Sequence, residues 1–338
     1  MDQTNKNNSS DDFSFEVSRA EACFAERHFE KALDHYAKAL KMNPLYAEGH
    51  CNCGIIYANI GEIEKAEQSL KKSLELDMNL VDAYYNLGMI CHEKGEYDNA
   101  LRYYKEAILR DPKDVNAFIR MGDCTVQLGR KEDAIAFYEE AFRHSPNNYD
   151  IAVALSSLYI EFHHYEKAED MLRAALLSHP DQTELYFVLG LVLMELNKWE
   201  SALAQFNSVV TKNPNHAQGF FHLAQCCEKL DLLKQAEPFY ANAYKLEPAN
   251  HFAVYHLGKL YEKLKKPETA VTMYRQFVDM FESIQDEQSR DLKDMYQNAC
   301  GFLADYYREM GDMKLADAYS KKISRPEGGY QVSLEIDD

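Results

Sequence analysis

Basic residues are scarce in this chain: 37 Lys and Arg stand against 55 Asp and Glu, a formal net charge of -18 over 338 residues. Bare nucleic acid is held by cationic surfaces that release counterions, so it is not an expected partner. An anionic membrane surface is disfavoured on the same ground. No window holds about 18 consecutive apolar residues, so no membrane-spanning helix is expected. Residues 1–12, MDQTNKNNSSDD, lack a basic start followed by an apolar run, so no secretory leader is expected. GxxxxGK, HExxH and the nucleophile elbow are all missing, which removes the usual sequence handles on phosphate-binding, zinc-peptidase and hydrolase chemistry. The eight cysteines are scattered without metal-ligand spacing, and read as reduced thiols of a cytoplasmic protein. No cofactor, metal or catalytic residue is expected.

What the chain has is a register. Ala32, Ala66, Ala100, Ala134, Ala168, Ala202, Ala236 and Ala270 follow one another at 34 residues. Twelve residues after each alanine lies a column that holds Pro44, Pro112, Pro146, Pro180, Pro214 and Pro248, with Met78 and Glu282 in the other two places. Twelve residues before stands a small one: Ala20, Gly54, Gly88, Gly122, Ser156, Gly190, Ala224 or Gly258. Four after stands a bulky one, from Tyr36 and Leu70 through Tyr104 and Phe206 to Tyr274.

Each column has a physical cause. Small residues let two helices cross closely. The aromatic buries area between neighbouring repeats. Proline ends the second helix. Gly61, Gly95, Gly129, Asn197 and Asp231, between the helices, tolerate the left-handed backbone that closes a helix.

This spacing resembles the tetratricopeptide repeat. Residues 81–114 carry its pattern as Tyr84, Leu87, Gly88, Ala100, Tyr104 and Pro112; Cys91 departs, standing where the family prefers Tyr. The resemblance implies an all-α, right-handed superhelical solenoid of about nine helix-turn-helix repeats. Eight fall at 13–46, 47–80, 81–114, 115–148, 149–182, 183–216, 217–250 and 251–284. A charged insert at 285–296 is expected to lengthen the flanking helices, before a divergent ninth repeat at 297–324 built on Ala304 and Ala316. Residues 1–12 are expected to be disordered, and 325–338 to form an acidic tail.

The resemblance further implies a concave groove lined by the first helix of each repeat, and hence a protein-binding scaffold or adaptor, not an enzyme. The candidate groove residues are Asn52, Tyr85, Asn86, Met89, Arg120, Asp123, Val153, Ile160, Phe187, Leu191, Met194, Phe221, His222, Phe252 and Tyr255. Over the first six repeats the lining is acidic and only Arg120 opposes it. Towards the end Lys229, Lys259, Lys263 and Arg308 mix with Glu228, Glu262, Asp305 and Glu309. A basic or amphipathic protein segment suits such a groove, and the apolar residues around Phe187 and Leu191 are expected to be open to it.

Alternatives are a co-chaperone, a substrate-recognition subunit of an enzyme complex, and self-association through an end repeat. The family's carboxylate clamp is matched by Asn86 and Arg120, but Cys51, Ile55 and Asn116 stand where its other residues belong. An asparagine ladder, as in the solenoid of the nucleocytoplasmic O-linked sugar transferase, stops after Asn52 and Asn86. Trp199 is expected to pack, and Cys51 and Cys53, two apart on a helix, to face nearly opposite ways.

Overall fold

The computed structural model describes residues 4–283 and 290–323. Among them are eighteen α-helices and no strand. They divide into two compact bodies, the first ending at Phe162 and the second beginning at His163.

The first body holds α1 (Thr4–Ala25), α2 (Phe29–Met42), α3 (Ala47–Asn59), α4 (Ile63–Leu76), α5 (Val81–Glu93), α6 (Tyr97–Arg110), α7 (Val115–Gln127), α8 (Lys131–His144) and α9 (Tyr149–Glu161). The second holds α10 (Tyr165–Ser178), α11 (Thr183–Glu195), α12 (Trp199–Lys212), α13 (Ala217–Lys229), α14 (Leu233–Leu246), α15 (His251–Lys263), α16 (Pro267–Glu282), α17 (Arg290–Glu309) and α18 (Met313–Ile323). Within each body consecutive helices pack as antiparallel pairs, and the pairs stack in chain order. The division falls inside the repeat 149–182, between its two helices.

Each pair closes through one left-handed residue. Gly61, Gly95, Gly129, Asn197 and Asp231 all have positive φ, as do Gly311 and the unforeseen Arg27, His163 and Lys265. At Gly95 the closure is a pair of backbone bonds: Gly95 N donates to His92 O at 2.9 Å and Glu96 N to Cys91 O at 2.8 Å. These satisfy carbonyls that the end of α5 would leave orphaned. The first helix of the following repeat can start on a side-chain cap, as where Asp114 accepts from Ala117 N at the start of α7 and Asn148 from Ile151 N at the start of α9, both at 3.1 Å.

The small and bulky columns meet within one repeat. A Cβ built on Gly88 would lie 2.6 Å from the Tyr104 ring, and one on Gly190 2.6 Å from Phe206. The ring is not just a filler between repeats. It is the surface against which its own pair crosses, and it then touches the next repeat: Tyr104 clusters with Met121 and Cys124, Tyr36 with Cys53 and Ile56. Cys51 and Cys53 are both buried, in separate clusters. Burial pushes their thiols, and that of Cys226, up to about 12, which leaves them unreactive at neutral pH.

Ion pairs tie successive repeats: Glu67 to Lys94, Glu169 to Lys198 and Glu237 to Lys266, all within 2.9 Å. Another enclosed tie is Glu228 on α13, which accepts from Tyr240 on α14 at 2.5 Å and from Lys263 on α15 at 2.9 Å. Burial works against its charge. The His256 ring, the Tyr240 hydroxyl and the Lys263 ammonium more than offset that, bringing the carboxyl to about 2.

The ends differ from expectation. Helix α1 runs back to Thr4, so residues 4–12 are helical where their polar composition predicted disorder. Once residues 13–25 are packed, adding a turn needs no new nucleus, so propagation is nearly neutral even for poor helix formers. The described part of the insert, 290–296, forms the start of the 20-residue α17, and Tyr296 stacks on Phe281 at 4.3 Å. Residues 284–289, residues 1–3, and residue 324 with the expected tail at 325–338 lie outside the described residues.

Two substitutions test the crossing rule. Gly88→Val should lower stability by about 2 kcal/mol, because overpacking against Tyr104 outweighs the gain in helix propensity. Gly301→Ala, whose Cβ would meet nothing nearer than Ile323 at 4.0 Å, should raise it by roughly 0.5–1 kcal/mol. Thermal melts followed by circular dichroism read both, and equal shifts would refute the rule. A third test concerns Glu228. Its folded pKa lies below the ordinary 4.5, so its stabilisation is complete above that pH and is lost as pH falls towards 2. Glu228→Gln should lower stability at pH 7 by up to about 3 kcal/mol, and the gap to wild type should narrow by roughly half at pH 3.

Candidate functional site

Residues 34 apart occupy equivalent places on the odd-numbered helices, so the candidate face can be followed rung by rung within each body. In the first body α3, α5, α7 and α9 carry six carboxylates and one Lys or Arg, which is Arg120. Glu48, Asp82 and Asp150 form one exposed ladder in the first turns; Glu93 and Glu161 form another at the last residues. The even-numbered α2, α4, α6 and α8 carry eleven Lys and Arg. Many of these are committed, as Lys71 to Glu67, Arg110 to Glu106 and Arg143 to Glu140. Lys131 reaches over to Glu161 at 2.6 Å, while Glu48, Asp82, Glu93 and Asp150 have no ion-pair partner among the described residues.

Several groove residues in this body are engaged with their own fold. Asn52 donates to the Tyr36 hydroxyl at 2.9 Å, and Asn86 to the Asp82 carbonyl at 2.7 Å. Asp123 accepts from Tyr138 at 2.6 Å and from Arg120 at 3.3 Å. Tyr85 packs on Tyr104 with ring centroids 5.6 Å apart, and Met89 on the same cluster. Val153 and Ile160 are half-buried. The two clamp-like residues, Asn86 and Arg120, therefore already have internal partners, and Cys51 is buried.

In the second body the apolar stretch is largely closed, against expectation. Phe187 is 7% exposed, held between Phe206, His216 and His222 at 4.9–5.8 Å. Tyr255 is 5% exposed, on Tyr274 and Phe277. Phe221 is half-buried against His222, Tyr240 and His256. The cause is the histidine column: His222 lies flat on Phe206 at 5.3 Å and His256 on Tyr240 at 5.9 Å, so the neighbouring aromatics fold inward onto them. Burial pulls the His222 imidazole below its usual value, which keeps it neutral and suited to stacking. Leu191 and Met194 remain half-open, and Phe252 is 41% exposed.

Two pockets open on this face of the second body. One, of about 620 Å³, lies between α15 and α17 and is walled by Tyr255, Tyr274, Phe302 and Tyr306 with Glu262, Asp305 and Glu309 around them. The other, of about 270 Å³, lies between α13 and α15 beside Trp199, Met194 and His256 and is rimmed by Lys229, Lys259 and Lys263. Trp199 is half-buried, with Lys229 over its ring at 5.3 Å. A third pocket, of about 410 Å³, opens in the first body beside Cys91, where a tyrosine would project more bulk. The lysine spacing was visible in sequence; the pockets needed the side-chain packing. No three His, Cys, Asp or Glu side chains among the described residues gather to hold a metal, and no described helix is long and apolar enough to cross a membrane.

Models of the tetratricopeptide repeat match residues 20–61, 47–79, 81–114, 131–192, 187–251 and 252–282. A search of curated proteins finds no match. Among solved structures, the chain is similar to the C-terminal part of a TPR repeat-containing protein from Cytophaga hutchinsonii, at 14% identity over 71% of this chain and 93% of that one, with a TM-score of 0.58. It is similar to pilF of Pseudomonas aeruginosa at 16% identity over 61% and 94%, with a TM-score of 0.51. Similarity to YrrB, a TPR protein described as having an unusual peptide-binding site, is 23% over 53% and 93%, with a TM-score of 0.48. Identities this low speak to the fold alone. Stacked helix pairs, the 34-residue register and matching models from residue 20 to residue 282 make this chain a member of the tetratricopeptide-repeat family.

Proposed function

We propose that the chain is a non-catalytic scaffold that binds a basic or amphipathic segment of a protein partner along the odd-helix face of its first body. The repeat is a protein-interaction fold, and the segregation of charge carries the finer reading. Acids in a first turn favour the helix dipole, which accounts for Glu48, Asp82 and Asp150 without any partner. It does not account for Glu93, whose carboxylate sits at a helix C-terminus where the dipole opposes it and has no ion-pair partner among the described residues; Glu161, at the same place on α9, is offset by Lys131. A face that keeps carboxylates at both ends of its helices, with cations moved to the opposite helices, is complementary to a cationic ligand. Internal engagement of Asn86 and Arg120 does not favour the carboxylate-clamp alternative.

The test separates this face from bulk charge. One variant carries Glu48→Gln, Asp82→Asn and Asp150→Asn. The control carries Glu64→Gln, Asp98→Asn and Glu132→Gln, three exposed acids in first turns of even helices. The two sets match in charge and in helix position. Anisotropy of a fluorescein-labelled amphipathic helix bearing lysines on one face is measured at physiological salt, after circular dichroism shows both variants folded. The face variant should bind at least tenfold more weakly than wild type and the control within twofold. Equal losses would reduce the effect to net charge and sink the reading.

A further inference from the structure

The rim of the smaller pocket in the second body reverses the sign of the positions it occupies. Lys229 and Lys263 stand where Glu93, Glu161 and Glu195 stand on other odd helices, and Lys259 stands where Asp123 does. Three ammonium groups thus converge on one opening in a chain of net charge -18. Like charges brought together repel, and isolated surface lysines gain little from being held there.

Two of the three are held by their surroundings. Lys263 is fixed by Glu228 at 2.9 Å, and Lys229 lies over Trp199 at 5.3 Å. Glu228 is the one carboxylate in the lining, with its side chain 10% exposed. Its oxygens already take Tyr240 and Lys263. The lining therefore keeps a surplus of positive charge. Lys259 makes no hydrogen bond or ion pair among the described residues, although it also borders the larger pocket with its three carboxylates.

We propose that this pocket, lined by Trp199, Glu228, Lys229, His256, Lys259 and Lys263, binds a carboxylate of an acidic peptide segment. The volume of about 270 Å³ accommodates one acidic side chain or a chain terminus. Trp199 and Met194 give its methylenes an apolar wall, and Lys259 supplies the uncommitted charge. The site belongs to the other body, and its ligand has the opposite sign, so it goes beyond the reading of the first body and stands or falls separately from it.

The full-length chain is titrated against fluorescein-labelled nonapeptides of Gly and Ser carrying three Glu or, as reference, three Gln. Each is made as free acid and as C-terminal amide. Wild type should bind the free-acid Glu peptide at least fivefold more tightly than the amidated Gln peptide, which carries no carboxylate. Lys259→Gln should reduce that binding about fivefold, and Lys314→Gln, an exposed lysine on α18, less than twofold. Amidation that abolishes binding identifies the chain terminus as the source of the carboxylate; retention identifies the side chains. Equal binding of the amidated Gln peptide, equal losses at Lys259 and Lys314, or no binding to any peptide would overturn the proposal.

Discussion

The stacking of this molecule depends on the close approach of a bulky side chain, in most repeats a ring, to a small residue on the facing helix. Gly88 under Tyr104, Gly122 under Tyr138, Gly190 under Phe206 and Gly258 under Tyr274 each leave less than 3 Å for a Cβ. That contact sets how closely the two helices of a repeat cross. Ala224 and Ala20 occupy the same column beside Tyr240 and Tyr36, so the column tolerates one methyl when the pair adjusts. The same rings reach the following repeat, so one side chain governs both the pairing within a repeat and the stacking between repeats. In a stack where each repeat meets only its neighbours, stability is a sum of such local terms.

Because a handful of positions in every 34 satisfy that geometry, the rest of each odd helix is free to carry charge. The Tyr hydroxyls show the seam between the two tasks. Each points from the second helix of a repeat towards the odd-helix face, where Tyr36 meets Asn52, Tyr138 meets Asp123, Tyr240 meets Glu228 and Tyr274 meets Glu262. Packing residues thus orient several of the polar groups that the face presents. Tyr104 is the exception: its hydroxyl is buried with no hydrogen-bond partner, because Arg120 stands at the position of Asn52 and turns to Asp123.

The fold was legible because its constraints recur: a glycine or alanine every 34 residues is a signal that no single repeat would provide. Left-handed turns at Gly61 or Asn197 were legible for the same chemical reason, whereas Arg27, His163 and Lys265 carry no mark of a positive φ in their side chains. The candidate face was only half legible. Register says which helix face a residue occupies, but not how far its side chain folds back. Phe187 and Tyr255 sit at candidate groove positions and are nonetheless closed over by His222, Phe206, Tyr274 and Phe277. That outcome depends on partners from neighbouring helices, a tertiary fact that a column of residues cannot express.

Charge on the two faces is fixed by different means, and this bears on how each can recognise a partner. In the first body the carboxylates are exposed and largely unopposed, so their field extends into solvent and is screened by salt over roughly 8 Å. Such a surface attracts at a distance and is tolerant of sequence. In the second body the ionised Glu228 is enclosed and holds Lys263 against it, while the neutral His222 fills the aromatic stack nearby. Groups of this kind are oriented before any ligand arrives, so less ordering is left to binding. On the two proposals above, the first surface would attract broadly and the second would offer a fixed local geometry, and one repeat can supply both because the register constrains packing and leaves the sign of the exposed positions open.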